Sequence, residues 1–350
     1  LAPVFHALCD MDNAPTVCCT GQHQELIHQH MGILDMPVDL WLDVMRDSGG
    51  LNDTLALVVE RVGATLRGLQ PRLVLVQGDT TSALGAGLAA FHEGIPVAHV
   101  EAGLRSGHPQ SPFPEELNRI ALDALDSLLF APTMLAAEQA RQVNRIAPVH
   151  VVGNPVVDSV HAILARQAET PSLPVWPGRY VLLELHRRES FGTRLEAMVR
   201  AVVTAAEIEE VDVLWPAHPN PAVRVVASAV QHPRLHLLEP LAYDAFLRLA
   251  QGAEVVICDS GGLVEEAISL AVPTLQLRGH TDRPEAIQAQ CSWLVGCHPQ
   301  HIEKLVREAV RMAEAWRASI RQRRNPYGDG HAGERIAAHV GAWLEGNRRD

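Results

Sequence analysis

Four clusters of polar or glycine residues in this sequence each follow directly on a short apolar run, and their side chains span anion binding and proton transfer. Gly78-Asp79-Thr80-Thr81 follows Leu73–Gln77, Glu101-Ala102-Gly103-Leu104-Arg105 closes the run from Val97, His186-Arg187-Arg188-Glu189 follows Tyr180–Leu185, and Asp259-Ser260-Gly261-Gly262 follows Glu254–Cys258. The last cluster has the clearest mechanics. Glycines let the backbone come close to a ligand, and a helix opening at Leu263 would aim free N–H groups and a partial positive charge at an anion. Ser260 adds a hydroxyl, although a glycine turn with a serine cap reads equally well from this motif alone. Glu265 and Glu266 would ordinarily be solvated; beside a nucleotide one of them could accept hydrogen bonds from ribose hydroxyls. His186 shares its loop with two guanidinium groups, whose planar forks suit phosphate oxygens. His218, in Pro216-Ala217-His218-Pro219, sits likewise after an apolar run. Asp79, Glu101 and the pair Glu115-Glu116 supply carboxylates from the first half, as structural caps or as proton carriers opposite an anion-binding second half.

These clusters must be positioned by the elements between them. Short runs rich in Val, Ile and Leu alternate with longer helical patterns, the signature of βαβ units around parallel sheets covered on both faces. Strands are expected at Thr16–Thr20, Leu73–Gln77, Val97–Glu101, Ser127–Ala131 and His150–Gly153. A second series is expected at Tyr180–Leu185, Val211–Pro216, Leu235–Leu238, Glu254–Cys258, Thr274–Leu277 and Cys291–Val295. Helices are expected from Leu1 through Leu8, and at Gly85–Glu93, Glu115–Asp126, Met134–Ile146, Arg194–Ala206, Tyr243–Gln251, Leu263–Leu270 and Ile302–Arg324. The proline-rich stretch Gln167–Gly178 reads as a linker. The reading is an α/β protein of two Rossmann-like doubly wound domains, residues 1–160 and 161–330, with ligands beyond the carboxyl ends of the strands. A length of 350 residues suits two cores instead of one.

Composition closes off several classes of function. A net charge of -12 opposes a protein that mainly grips nucleic acid. No run approaches the ~20 apolar residues of a membrane span, and no signal peptide appears. The six cysteines form no CxxC pair and read as reduced thiols of a cytoplasmic protein. GxGxxG, GxxxxGK[ST] and HExxH are all missing, so neither a bound dinucleotide, nor a P-loop, nor a metal is indicated. A site here is expected to work with carboxylates, imidazole and guanidinium, and with no cofactor.

With these residues assembled, the chain resembles the non-hydrolysing UDP-N-acetylglucosamine 2-epimerases of bacterial type. The likeness runs from Leu1 to about Ile336. It rests on Gly78-Asp79-Thr80-Thr81, the run His99 to Gly107, Pro112 to Arg119, Phe130-Ala131-Pro132-Thr133, His186 to Gly192, Asp259 to Glu266, Asp282-Arg283-Pro284-Glu285 and Asn325 to Gly330. The resemblance implies a glycosyltransferase-B-like fold with a cleft between two domains, and a terminal helix, residues 331–350, packed back on the first. It implies catalytic positions at Asp79, Glu101, Glu115 and His186. It puts Ser260, Gly261 and Gly262 at the UDP phosphates, Glu266 at the ribose, and Arg283 and Phe246 near the nucleotide. The implied reaction removes the C2 proton and eliminates UDP to give 2-acetamidoglucal, then adds both back with C2 inverted, so that nothing is oxidised overall and no NAD is needed. A homodimer is implied, with UDP-N-acetylglucosamine and UDP as partners and no nucleic acid or membrane.

Three departures from the family pattern shape further expectations. The family opens with a strand and a Gly-Thr-Arg-Pro-Glu loop immediately before the segment matching Leu1-Ala2-Pro3, so a further segment upstream of Leu1 is expected. Glu184-Leu185 replaces a usually small pair before His186. Gln22, His23 and His218 match a second, allosteric substrate site, but Leu57 stands where its arginine is expected. The competing readings are a hydrolysing relative that releases N-acetylmannosamine and UDP, a glycosyltransferase of the same fold, and a silent sugar-nucleotide-binding regulator.

Overall fold

A computed structural model describes residues 1–21, 31–44, 49–167, 176–187, 190–218 and 220–347. Gln22, His23, Arg188, Glu189 and most of the expected linker lie outside the described residues. The chain forms two compact units, residues 1–159 with 327–350, and residues 160–326.

The first unit is built on a four-stranded parallel sheet, β3 (Val74–Gln77), β4 (Val97–Val100), β5 (Leu128–Ala131) and β6 (Val149–Val151), in that order. β4 and β5 are buried along their whole length; β5 is apolar throughout, as a strand covered on both faces requires, and β4 departs from that pattern only at His99. The strand expected at Thr16–Thr20 is shorter and does not join this sheet. It is β1 (Cys18–Cys19), which pairs in parallel with β2 (Leu40–Trp41), a strand not anticipated from the sequence.

The largest difference is α2 (Leu51–Leu69), which follows α1 (Ala2–Asp10) and was not among the expected helices. Its buried stripe, Leu57, Val58, Val62 and Leu66, packs against β3 and α3 (Thr81–His92). It has no capping side chain at Gly50, whose own N–H donates to Asp53 Oδ2 at 2.8 Å, so the usual start signal is missing. α3 begins four residues before the expected Gly85, because the Thr80 hydroxyl caps it by accepting from Ala83 N at 3.2 Å. Gly85 lies inside α3 because the helices nearly touch there: a Cβ would stand 2.7 Å from Val58 Cγ1. α4 (Glu115–Leu125) and α5 (Met134–Val143) follow, and α13 (Ala332–Gly346) packs on α1.

α6 (Pro155–Gln167) leads into the second unit, whose six-stranded parallel sheet runs β12-β11-β10-β7-β8-β9. These strands are β7 (Tyr180–Glu184), β8 (Asp212–Pro216), β9 (Leu235–Leu238), β10 (Val256–Cys258), β11 (Thr274–Gln276) and β12 (Ser292–Leu294). The order reverses between β7 and β10, which defines the switch point where doubly wound sheets bind ligands. The connecting helices are α7 (Thr193–Ile208), α8 (Pro221–Ala229), α9 (Tyr243–Gly252), α10 (Gly261–Ser269), α11 (Pro284–Gln288) and α12 (Pro299–Arg321). α6, α8 and α11 were not among the expected segments; two of the three are short, and each opens at a proline.

Candidate active site

In the first unit the candidate acids stand at the carboxyl ends of neighbouring strands. β3 runs into Gly78 and Asp79, and β4 into Glu101. Glu101 adopts φ +70, a left-handed conformation for a residue with a side chain. The buried Arg119, one turn beyond Glu115 on α4, joins the two: its Nη2 forms an ion pair with Asp79 Oδ2 and lies 3.8 Å from Glu101 Oε1. Asn118 Nδ2 donates to the Asp79 carbonyl at 2.8 Å, fixing that loop from the same helix. Glu115 opens α4, while its neighbour Glu116 has another task. Buried, Glu116 accepts from Ser106 N at 2.8 Å and Gly107 N at 3.0 Å and shapes the loop after Leu104.

A second layer, for which no role is expected from residue type and spacing, holds the first. His99 is fully buried on β4; Nδ1 donates to Asp123 Oδ1 at 2.8 Å and Nε2 to the Gly78 carbonyl at 2.8 Å. Both ring nitrogens face acceptors, so the ring is the doubly protonated cation. Burial opposes that charge, but Asp123 and Asp126 outweigh it and the histidine pKa is raised. Asp123 is correspondingly lowered despite burial, by His99 and by its ion pair with Arg105. Asp126, with Oδ2 3.5 Å from Nδ1, is pushed up to about 7 by burial. Asp123 also accepts from Gly103 N at 3.1 Å. Gly103 is required there twice over: its φ is +81, and a Cβ would fall 1.9 Å from the Ala136 carbonyl oxygen.

In the second unit the candidates stand on both sides of the switch point. Asp259, after β10, accepts from the backbone N–H of His186 at 3.1 Å and of Arg187 at 3.0 Å, tying the β7 loop to the β10 loop. Arg187 Nε donates to the Asp259 carbonyl at 3.3 Å. Burial and the Glu184 charge raise Asp259 to about 6. The His186 ring donates Nδ1–H to Glu184 Oε1 and stacks on His218, with centroids 5.4 Å apart at 21°. Burial disfavours its charge, Glu184 and Asp259 favour it, and the pKa is raised. Glu184, His186 and Asp259 bring ligand atoms within 4.8 Å of one another. With Nδ1 donating to Glu184, the ring and this carboxylate form a charge pair. His218 Nδ1 accepts from Asn220 N at 3.1 Å, fixing that ring as well.

Ser260 caps α10, its Oγ accepting from Leu263 N at 3.5 Å. The two glycines behind it differ. A Cβ on Gly261 would stand 3.3 Å from the Arg283 guanidinium, whereas one on Gly262 would meet nothing within 4 Å. Gly262 is therefore the position whose backbone a ligand can approach. Arg283 is buried and engaged from behind, by Glu265 Oε1 at 2.5 Å and Asp282 Oδ2 at 2.5 Å. Glu265 is accordingly buried in an ion pair and not solvated as expected. Glu266 accepts from the Tyr243 hydroxyl at 2.7 Å and is raised by burial to about 7. Tyr243, missed in the sequence, is one turn before the half-buried Phe246 on α9. Leu57, at the position where the arginine of a second site is expected, is buried in the core of the first unit.

Parallel Rossmann-like sheets with polar groups gathered at their carboxyl ends define an α/β protein of glycosyltransferase-B-like architecture. A glycosyltransferase from Streptomyces nogalater shares that fold at 13% identity, with a TM-score of 0.55 over 98% of this chain and 94% of its own. The chain belongs to the UDP-N-acetylglucosamine 2-epimerase family, whose sequence model matches residues 8–341. It is 36% identical to the UDP-N-acetylglucosamine 2-epimerase of Bacillus subtilis over 336 residues, covering 95% of this chain and 88% of the relative. It also superposes on the Neisseria meningitidis UDP-GlcNAc 2-epimerase, solved bound to UDP-GlcNAc, with a TM-score of 0.90 and 31% identity over 97% of this chain and 95% of that one. Among the described residues no helix is long and apolar enough to cross a membrane.

Proposed function

We propose that this chain is a non-hydrolysing isomerase that interconverts UDP-N-acetylglucosamine and UDP-N-acetylmannosamine. The observation that carries the reading is the meeting of Asp79 and Glu101, from adjacent strand ends, on one buried guanidinium. C2 of the sugar is not acidic, so its proton must be taken as the anomeric C1–O bond to UDP breaks. The products of that step are 2-acetamidoglucal, UDP and a protonated base. Return of a proton to the opposite face of C2 and of UDP to C1 completes the inversion with no net oxidation. Two carboxylates in one place allow separate donors and acceptors for the two faces, and the positive charge developing on the ring is one that carboxylates stabilise. Glu115 completes the acidic set in this proposal. His186, Ser260 and the N–H of Gly262 hold the diphosphate through elimination and re-addition, with Glu266 at the ribose, Phe246 beside the nucleotide and Arg283 bracing the turn from behind.

The same reading makes the protein a cytoplasmic homodimer. Its six cysteines are unpaired, which suits a reducing compartment. Phe113 and Leu117, at the start of α4, are exposed apolar side chains that a second copy could cover. The function is tested by incubating the protein with UDP-N-acetylglucosamine and separating the products. UDP-N-acetylmannosamine is expected; free N-acetylmannosamine with UDP would instead establish the hydrolysing reaction.

A further inference from the structure

Glu184 is the one charged residue at the end of an otherwise apolar strand. Tyr180, Val181, Leu182 and Leu183 before it are all buried, and its own side chain is 15% exposed. Its register partner on β10 is Cys258, also buried. A carboxylate in such a place is costly unless it is paired. The Glu184 Oε2 atom is buried without a hydrogen-bond partner among the described residues, so the bond from Oε1 to the His186 ring is what compensates the charge. Asp259 is already occupied with the backbone N–H groups of residues 186 and 187, and its Oδ1 is 3.6 Å from Nδ1. The work is thus divided: Asp259 holds the loop, and Glu184 holds the ring. His218 stacks on one face of that ring, and no partner takes Nε2 among the described residues.

Resting on the reading of the site as a UDP-sugar site, the geometry points to Glu184 as a positioning residue that accepts Nδ1–H of His186 and so turns Nε2–H toward an anionic oxygen of the bound diphosphate. A ring free to rotate would present Nδ1 or Nε2, and a neutral ring could present a lone pair, which repels an anion. Glu184 selects the orientation and favours the charged form at once. Among the described residues the ionisable groups facing the ring are Glu184 and Arg187 from its own segment, Asp259 from the end of β10 and His218 from the end of β8; the Glu184 charge also contributes to raising Glu266 on α10.

The test is an NMR titration of the full chain carrying isotope-labelled histidine, with the His186 signals assigned through His186→Gln. It is run on wild type, Glu184→Gln and Glu184→Asp, beside the pH profile of kcat/KM with UDP-N-acetylglucosamine. In Glu184→Gln the His186 midpoint is expected to fall by about one unit or more, and the basic limb of kcat/KM to move down with it. Glu184→Asp, with its charge kept but withdrawn, is expected to lie between the two. Equal midpoints in wild type and both variants would overturn the assignment. So would a midpoint that moves while the kinetic limb stays, since the ring would then be held for packing alone. Wild type that fails to epimerise would refute the function proposed above, while the three midpoints would still judge the Glu184–His186 pair.

Discussion

Asp79 and Arg119 form a pair in which each side chain makes the other tolerable, the guanidinium being buried and the carboxylate only partly so. Asp79→Asn keeps the size of the side chain and removes the basic oxygen. Exchange of the C2 proton is therefore expected to fall by about 10²–10⁴-fold, while UDP affinity measured by calorimetry stays within about twofold, because the groups proposed to hold the diphosphate belong to the other unit. The buried cluster behind it sets a pH signature in stability. Asp126 has a folded pKa of about 7 against an ordinary 3.8. A raised pKa means stability present below pH 4 that is lost as pH climbs toward 7. Asp126→Asn removes that decline, so its denaturation midpoint is expected to gain on wild type between pH 4 and 7 in parallel urea titrations. At this scale the sequence displayed the polar residues that end strands, since apolar runs stop visibly at Asp79, Glu101, His186 and Asp259. It hid the partners that reach them from elsewhere: Arg119, Asp123 and Tyr243 sit inside helical patterns, where nothing in spacing separates a buried ion pair from a solvated face. Arg119 alone left a signal, four residues after Glu115 on the same helix face.

Helix α10 owes its role to its first turn, where the Ser260 cap and two glycines leave backbone N–H groups at a helix mouth. Because Gly262 is helical and a Cβ there meets nothing, Gly262→Asp is expected to fold with unchanged thermal stability. It should nevertheless lose the stabilisation that UDP confers on wild type, about 2.7 kcal/mol at 100 times Kd; thermal melts with and without UDP read both effects. Gly103→Ala is the opposite case, since its Cβ would overlap the Ala136 carbonyl and its φ is positive. A loss of about 3 kcal/mol or more is expected in chemical denaturation. Strand positions were legible because parallel strands covered on both faces must be largely apolar. Helix α2 was not: Gly50 caps it without a side chain, and Gly63 interrupts the stripe of Leu57, Val58, Val62 and Leu66. β2 is only two residues long and carries no period to detect.

In the proposed function the chemistry is divided between two units, each built on a parallel sheet, with acids on the first and an anion-binding turn on the second. Hydrogen exchange is expected to reveal that division. UDP alone should protect amides around residues 186–187 and 260–266, and the intact UDP-sugar should add protection around 78–80 and 101–105. Against a net charge of -12, the turn proposed to hold the diphosphate would rely on a helix mouth and an imidazole instead of a broad basic surface. The alternation of strands and helices, and with it the α/β class, was plain in the sequence because sheet and helix periods differ. The order of the second sheet was not, since strand order follows from crossovers that leave no trace in local periodicity. The central claim, inversion at C2 through loss of the C2 proton, is tested most directly by incubating the full chain with UDP-N-acetylglucosamine in D2O and following C2 by NMR. The expected result is UDP-N-acetylmannosamine carrying deuterium at C2; epimerised product that retains the original C2 proton, or substrate that binds and stays unchanged, would contradict it.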